Sequence, residues 1–244
     1  MDACAIFYGT GNLATDAANL ATYPLLILPQ ANDAATIAWR NSIKAINPGI
    51  LMLGYQMVAS DAHTVPGPGN AIMPNYGYCR DASGAVILVN NVALHDYRHS
   101  YWRSAFLRAC QTVMGSYPWD GLFLDNCAVW SNMSTDPGVL SVMQSSLQQA
   151  LADLRTLFPQ SLLTGNSAQH FGSLNGELHE NYTDAFSEPH VQPEINIVGQ
   201  IVSSFTDPLV ASTIAEAVQQ NATVCLTLAN YETSAPLSSW GLTL

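Results

Sequence analysis

Eight short apolar runs, separated by helical or loop segments, constrain the fold of this chain more than any other feature. They lie at residues 4–8, 25–28, 50–55, 122–124, 161–164, 174–182, 195–204 and 222–228. Runs this short and this continuously apolar are what strands buried on both faces of a parallel sheet look like. Helical spacing recurs between them: Trp39, Ile43 and Ile46 within 34–46, Tyr101, Trp102, Phe106, Leu107 and Val113 within 97–114, and Leu140, Val142, Met143, Leu147, Leu151 and Leu154 within 139–158. Residues 208–220 read as a further helix. This alternation predicts a (β/α)8 TIM barrel, with a doubly wound open α/β sheet as the alternative. The Pro- and Ser-containing stretch 234–244 is too short for a full last helix. A single domain over 1–244 suits the length. Residues 59–95, interrupted by Pro66, Gly67, Pro68, Gly69 and Pro74, read as a long loop over the carboxyl ends of the strands, with 85–89 as an added hairpin strand.

The charge balance narrows the partners. Seven basic residues face eighteen acids, for a net charge of −11. No basic patch exists to neutralise phosphates, so nucleic acid and anionic membranes are excluded as expected partners. No apolar run approaches the ~20 residues that span a bilayer. The chain starts without the basic and apolar regions of a signal peptide. With only 10% charged residues, the surface must rely on Ser, Thr, Asn and Gln, which points to an extracellular or particle-associated setting. A monomer is expected. Cys4, Cys79, Cys110, Cys127 and Cys225 lack the spacing of a zinc site or of a disulfide scaffold, and Cys4, Cys110 and Cys225 read as core. No metal and no cofactor is expected. Asp125 with His95, His99 or His179 is the nearest approach to a metal set, and it lacks convergent spacing.

In a barrel, the residues that follow the strands line the ligand site. Here they are Tyr8, then Gln30 and Asn32, Tyr55 and Gln56, Asp125 and Asn126, Asn166 and Gln169, Glu180 and Asn181, and Asn230 and Tyr231. Two carboxylates among amides and phenols suit a polyhydroxyl ligand: amides pair with hydroxyls, and rings cover sugar C–H faces. Two acids are also the minimum for glycoside hydrolysis, one ionised and one protonated.

Elimination among the acids favours Asp125 and Glu180. Asp16, Asp33, Asp81, Asp136, Asp153, Asp207, Glu188, Glu194 and Glu216 read as caps or solvated charge. Asp96 reads as the cap of the 97–114 helix. Asp120 precedes its strand and belongs toward the barrel bottom. Strand alternation puts Glu177 on the face opposite Glu180. Asp61, Asp184 and Glu232 are lesser candidates. Arg98, Arg103 and Arg108 read as a solvated face, with Arg98 in the pocket as an alternative.

The stretch Trp119-Asp120-Gly121-Leu122-Phe123-Leu124-Asp125-Asn126 resembles the Asp-Gly-hydrophobic-Phe-Leu-Asp-Asn signature of family 114-like glycoside hydrolases, which include endo-α-1,4-polygalactosaminidases. Residues 5–9 resemble that family's first-strand entry, 97–102 its helix entry, and 163–166 and 176–182 its fifth and sixth strand ends. Asn175-Gly176 departs from the usual Asp-Gly start of the sixth strand. The resemblance implies a retaining, endo-acting hydrolase of a polysaccharide, with Asp125 as nucleophile and Glu180 as general acid/base. The strand-end positions make Tyr8, Tyr55, Gln56, Asn126, Asn166, Gln169, Asn181, Asn230 and Tyr231 the expected substrate-binding residues. The acidic balance would suit neutral or amino-sugar polymers. The alternative is a non-catalytic carbohydrate-binding or structural module on the same barrel.

Overall fold

A computed structural model describes residues 3–6, 13–29, 33–60, 77–89, 92–166, 171–180, 195–202, 208–219, 223–228, 236–240 and 242. In chain order the strands are β1 (Ala3–Ile6), β2 (Leu25–Leu28), β3 (Leu51–Met57), β4 (Leu88–Val89), β5 (Val92–Ala93), β6 (Gly121–Asp125), β7 (Leu162–Asn166), β8 (Gly176–Glu180), β9 (Ile195–Val202) and β10 (Thr223–Leu228). The helices are α1 (Leu13–Leu20), α2 (Ala34–Ile46), α3 (Ser100–Ser116), α4 (Pro137–Leu157) and α5 (Pro208–Gln219). Eight strands run parallel in the ring order β1, β2, β3, β6, β7, β8, β9, β10, and β10 pairs back with β1. Among the described strands, β4 and β5 stand apart as an antiparallel pair. The closed ring removes the open-sheet alternative. The fold is barrel-like with outer helices, while a full eightfold strand–helix alternation is not present among the described residues.

Alternation along the strands sorts the core into two layers. Cys4, Leu25, Ile27, Leu53, Phe123, Leu178 and Cys225 fill the barrel interior. Leu26, Leu28, Met52, Leu122, Leu124 and Leu163 turn outward and meet Trp39, Ile43, Trp102, Phe106, Val113, Met143 and Leu147 of the helices. Asp33 caps α2 by accepting from Thr36 N at 3.0 Å, and Asp136 caps α4 by accepting from Gly138 N at 2.8 Å. Among the described residues no helix is long and apolar enough to cross a membrane.

The barrel floor is tied by polar side chains. Asp120 Oδ2 accepts from Lys44 Nζ at 2.9 Å and from Met52 N at 2.8 Å, which joins α2, β3 and the entry to β6. Gly121 follows because a Cβ there would lie 1.8 Å from the Leu162 carbonyl oxygen of β7. The Asp-Gly pair is therefore a close-approach strand start rather than a free turn. Arg40 is fully buried, its guanidinium 4.4 Å from the Trp119 ring centroid and 5.2 Å from that of Tyr117. Burial pulls its pKa down to about 10, which still leaves it charged at neutral pH.

Three expectations need correction. α3 starts at Ser100, not Tyr97, and His99 is its cap, accepting from Tyr101 N at 3.3 Å. Asp96 instead binds Arg98, at 2.9 Å to Nε and 2.7 Å to Nη2, and accepts from the Arg98 backbone N–H at 3.0 Å. Asp16 is buried, at 8% exposure, rather than a solvated charge, because it sits on the face of α1 that packs inward. Within 59–95, the described residues carry antiparallel pairing. Ser60 bridges Leu94, Tyr78 bridges His95 and Arg80 bridges Val86, all antiparallel. The short strands there are Leu88–Val89 and Val92–Ala93 rather than all of 85–89.

Candidate active site

Asp125 is the last residue of β6, which is fourth of the eight barrel strands in chain order. It shares the inward parity of Phe123, which packs inside the barrel. The carboxylate is half-buried and is met by three donors. The Tyr55 hydroxyl donates to Oδ2. Asn166 Nδ2 donates to Oδ1 at 2.8 Å, and the Asn126 backbone N–H donates to the same oxygen at 2.9 Å. A carboxylate only accepts, so every contact matches one of its lone pairs.

The sequence explains each of these contacts. Met57 of β3 lies opposite Asp125 and Tyr55 lies opposite Phe123, so the phenol rises alongside the Phe123 ring, 6.0 Å centroid to centroid, to reach the strand end. Leu124 pairs with Gly165, so Asn166 ends β7 just as Asp125 ends β6. Asn126 adopts φ 53°, the left-handed region that Asn tolerates better than most residues. That turn carries its N–H back to Asp125. The Asn126 side chain donates to Met57 Sδ at 3.2 Å, and Cys127 N donates to Asn166 O at 2.9 Å. Tyr97 Oη donates to Ala128 O at 3.0 Å and anchors the segment from behind. Below it, Cys127 is fully buried, and burial with the nearby Glu177 and Asp125 charges raises its thiol pKa.

Tyr55, Asn126 and Asn166 thus gather at Asp125. Gln56 does not. It has the outward parity of Met52 and Gly54, is 4% exposed, and its Nε2 donates to Met57 O at 2.8 Å. The expectation that it lines the site is corrected for that reason: adjacent strand residues face opposite sides. Glu177 is buried in the outer layer and accepts from Phe171 N at 3.1 Å, as its parity required. Glu180 ends β8 with its backbone opposite Gly199 of β9, and its side chain lies outside the described residues. Tyr8, Gln30, Asn32, Asp61, Gln169, Asn181, Asp184, Asn230, Tyr231 and Glu232 also lie outside them. Arg98 is engaged with Asp96, Arg103 with Asp153 of α4, and Arg108 lies over the Tyr101 ring, which supports the outer-face reading of all three.

Among the described residues no three His, Cys, Asp or Glu side chains gather as metal ligands. His95 is buried with Nδ1 3.0 Å from Val58 O. Met57 is the contact that sequence reading missed. The available signal was its place two residues beyond Tyr55, on the same face at the strand end.

No protein-family model matches the sequence, and a search of curated proteins finds no match. Solved structures do resemble it. The glycoside hydrolase domain of PelA from Pseudomonas aeruginosa is similar at TM-score 0.64 and 12% identity, over 96% of this chain and 97% of that one. Alpha-L-fucosidase isoenzyme 2 from Paenibacillus thiaminolyticus gives 0.65 and 12%, over 98% of this chain and 48% of that one. The maltogenic alpha-amylase AmyB from Thermotoga neapolitana gives 0.58 and 12%, over 100% and 71%. At such identities the shared property is the fold: this chain has the (β/α) barrel-like architecture that these glycoside hydrolases use.

Proposed function

We propose that the chain is a retaining, endo-acting glycoside hydrolase of the family 114-like kind, with Asp125 as nucleophile and Glu180 as general acid/base. The observation that carries this reading is the inward, half-buried carboxylate of Asp125 at the carboxyl end of β6, held by Tyr55, Asn166 and Asn126 N. Chemistry on such barrels sits at that end of the strands. Three donors, none of them a cation, fix the carboxylate's orientation, as a nucleophile aimed at an anomeric carbon requires. Glu180 takes the partner role because it ends the strand two along the ring from β6 and has the parity of Leu178 in the barrel interior. In the first half-reaction Glu180 protonates the leaving oxygen while Asp125 forms the glycosyl ester. In the second, Glu180 deprotonates the water that hydrolyses it. The substrate is an oligo- or polysaccharide. The chain acts as a monomer in an extracellular or particle-associated setting.

The test is a panel of neutral and amino-sugar polysaccharides with reducing-end detection, followed by proton NMR of the first-formed anomer. New reducing ends with retained configuration support the proposal. Inversion removes the nucleophile role, and binding without hydrolysis removes the enzyme. A carboxyl separation of about 5–5.5 Å between Asp125 and Glu180 is required for retention, against about 6.5–9.5 Å for inversion.

A further inference from the structure

Two thiols meet inside the barrel, on the seam where the sheet closes. In the register of β1 and β10, Cys4 stands directly opposite Cys225. Both are 1% exposed and belong to the interior layer. The neighbouring Cys225 thiol and burial together hold the Cys4 thiol pKa well above its usual range. Cys4 also pairs with Leu25, the first residue of β2, which places the pair toward the barrel floor. Tyr23 lies near enough to interact with both thiols, and its Oη accepts from Trp240 Nε1 at 2.8 Å, so the turn Leu237–Trp240 is fastened beside them. Cys79, Cys110 and Cys127 lie outside this interior layer.

We propose that Cys4 and Cys225 form a disulfide that locks the first barrel strand to the last. Neighbouring strands lie about 4.7–4.9 Å apart. That falls inside the roughly 4.4–6.8 Å Cα window of disulfides. The oxidant is a small-molecule disulfide such as oxidised glutathione. One thiolate attacks it, forming a mixed disulfide and releasing one glutathione thiol. The second thiolate displaces the other glutathione, so one protein S–S bond forms, two electrons reduce the oxidant, and both protons leave with the glutathione thiols. Thiolates are scarce once the pair is buried, so the exchange belongs to folding, before β1 docks on β10. The packing that then excludes oxidants also excludes reductants.

The test is refolding of the whole chain in a glutathione redox buffer or in dithiothreitol, then alkylation under denaturing conditions, intact mass and non-reducing peptide mapping. Before alkylation the oxidised sample should weigh about 2 Da less than the reduced one. One cross-linked peptide pair should carry Cys4 and Cys225, with Cys79, Cys110 and Cys127 alkylated. Its melting midpoint should be higher by roughly 5–15 °C, since the bond closes nearly the whole chain into a loop. In Cys225→Ala the oxidised and reduced midpoints should coincide. Alkylation of all the cysteines, a cross-link joining another pair, or an unchanged wild-type midpoint overturns the proposal. These measurements are independent of any glycosidase activity.

Discussion

Two aspartates bracket one strand, and the fold treats them oppositely. Asp120, at the entry to β6, is met by the cationic Lys44 and by the Met52 N–H, which joins a helix to two strands. Asp125, at the exit, is met by a phenol, an amide and a backbone N–H, with no cation among these contacts. The first arrangement stabilises the barrel. The second holds a carboxylate in place by hydrogen bonds at the barrel mouth, an arrangement suited to chemistry rather than to joining elements. The two ends of the strand divide labour as parallel barrels do, with structure at the floor and reaction at the mouth.

Four substitutions would break or sharpen this contrast. Asp125→Asn keeps the size and removes the charge, so hydrolysis should fall by roughly 10³-fold or more at an unchanged melting midpoint. Equal turnover by the variant on the same polysaccharide would end the nucleophile assignment. Glu180→Gln should cost about 10²–10⁴-fold. Activated substrates with good leaving groups should recover much of the first step, because they need no proton. Failure of such substrates to help would move the acid role elsewhere.

At the floor, Asp120→Ala should lose about 1–3 kcal/mol in chemical denaturation, because Met52 N is left without its acceptor. The ion pair itself adds little at its partial exposure. Turnover per folded molecule should be unaffected, and a selective loss of kcat would collapse the distinction between the two ends. Tyr55→Phe should have the smallest effect, about tenfold in kcat with little change in KM, since it removes one donor from the carboxylate and leaves the Phe123 packing in place. A change confined to KM would instead make Tyr55 a sugar ligand.

The strand ends were legible because most buried runs give way within a residue or two to polar residues. Reading them picked out Tyr55, Asn126 and Asn166 as substrate-binding residues, and all three meet the Asp125 carboxylate. Their roles were not legible. Sequence reading named them only as ligands for sugar, and their hold on the Asp125 carboxylate came from the register between strands. Gln56 failed for a simple reason: it follows Tyr55 at a strand end, and pattern alone did not choose which of two consecutive polar residues turns inward. Asp96 failed because a helix cap depends on where the first turn closes: that turn starts at Ser100 with His99 as its cap, while Asp96 pairs with Arg98.

The sequence by itself determined the number and order of the barrel strands and the position of β6 as fourth, because apolar continuity over a few residues leaves the chain little else to form. It also determined that Asp120 and Glu177 are structural, since a strand's two ends and two faces are set by counting. Tertiary structure decided what counting cannot reach. Register between strands brought Tyr55 and Asn166 onto one carboxylate, ring closure put Cys4 opposite Cys225, and the approach of β7 made Gly121 obligatory. Each is a contact between residues far apart in the chain, and such contacts exist only once the sheet has curled and sealed.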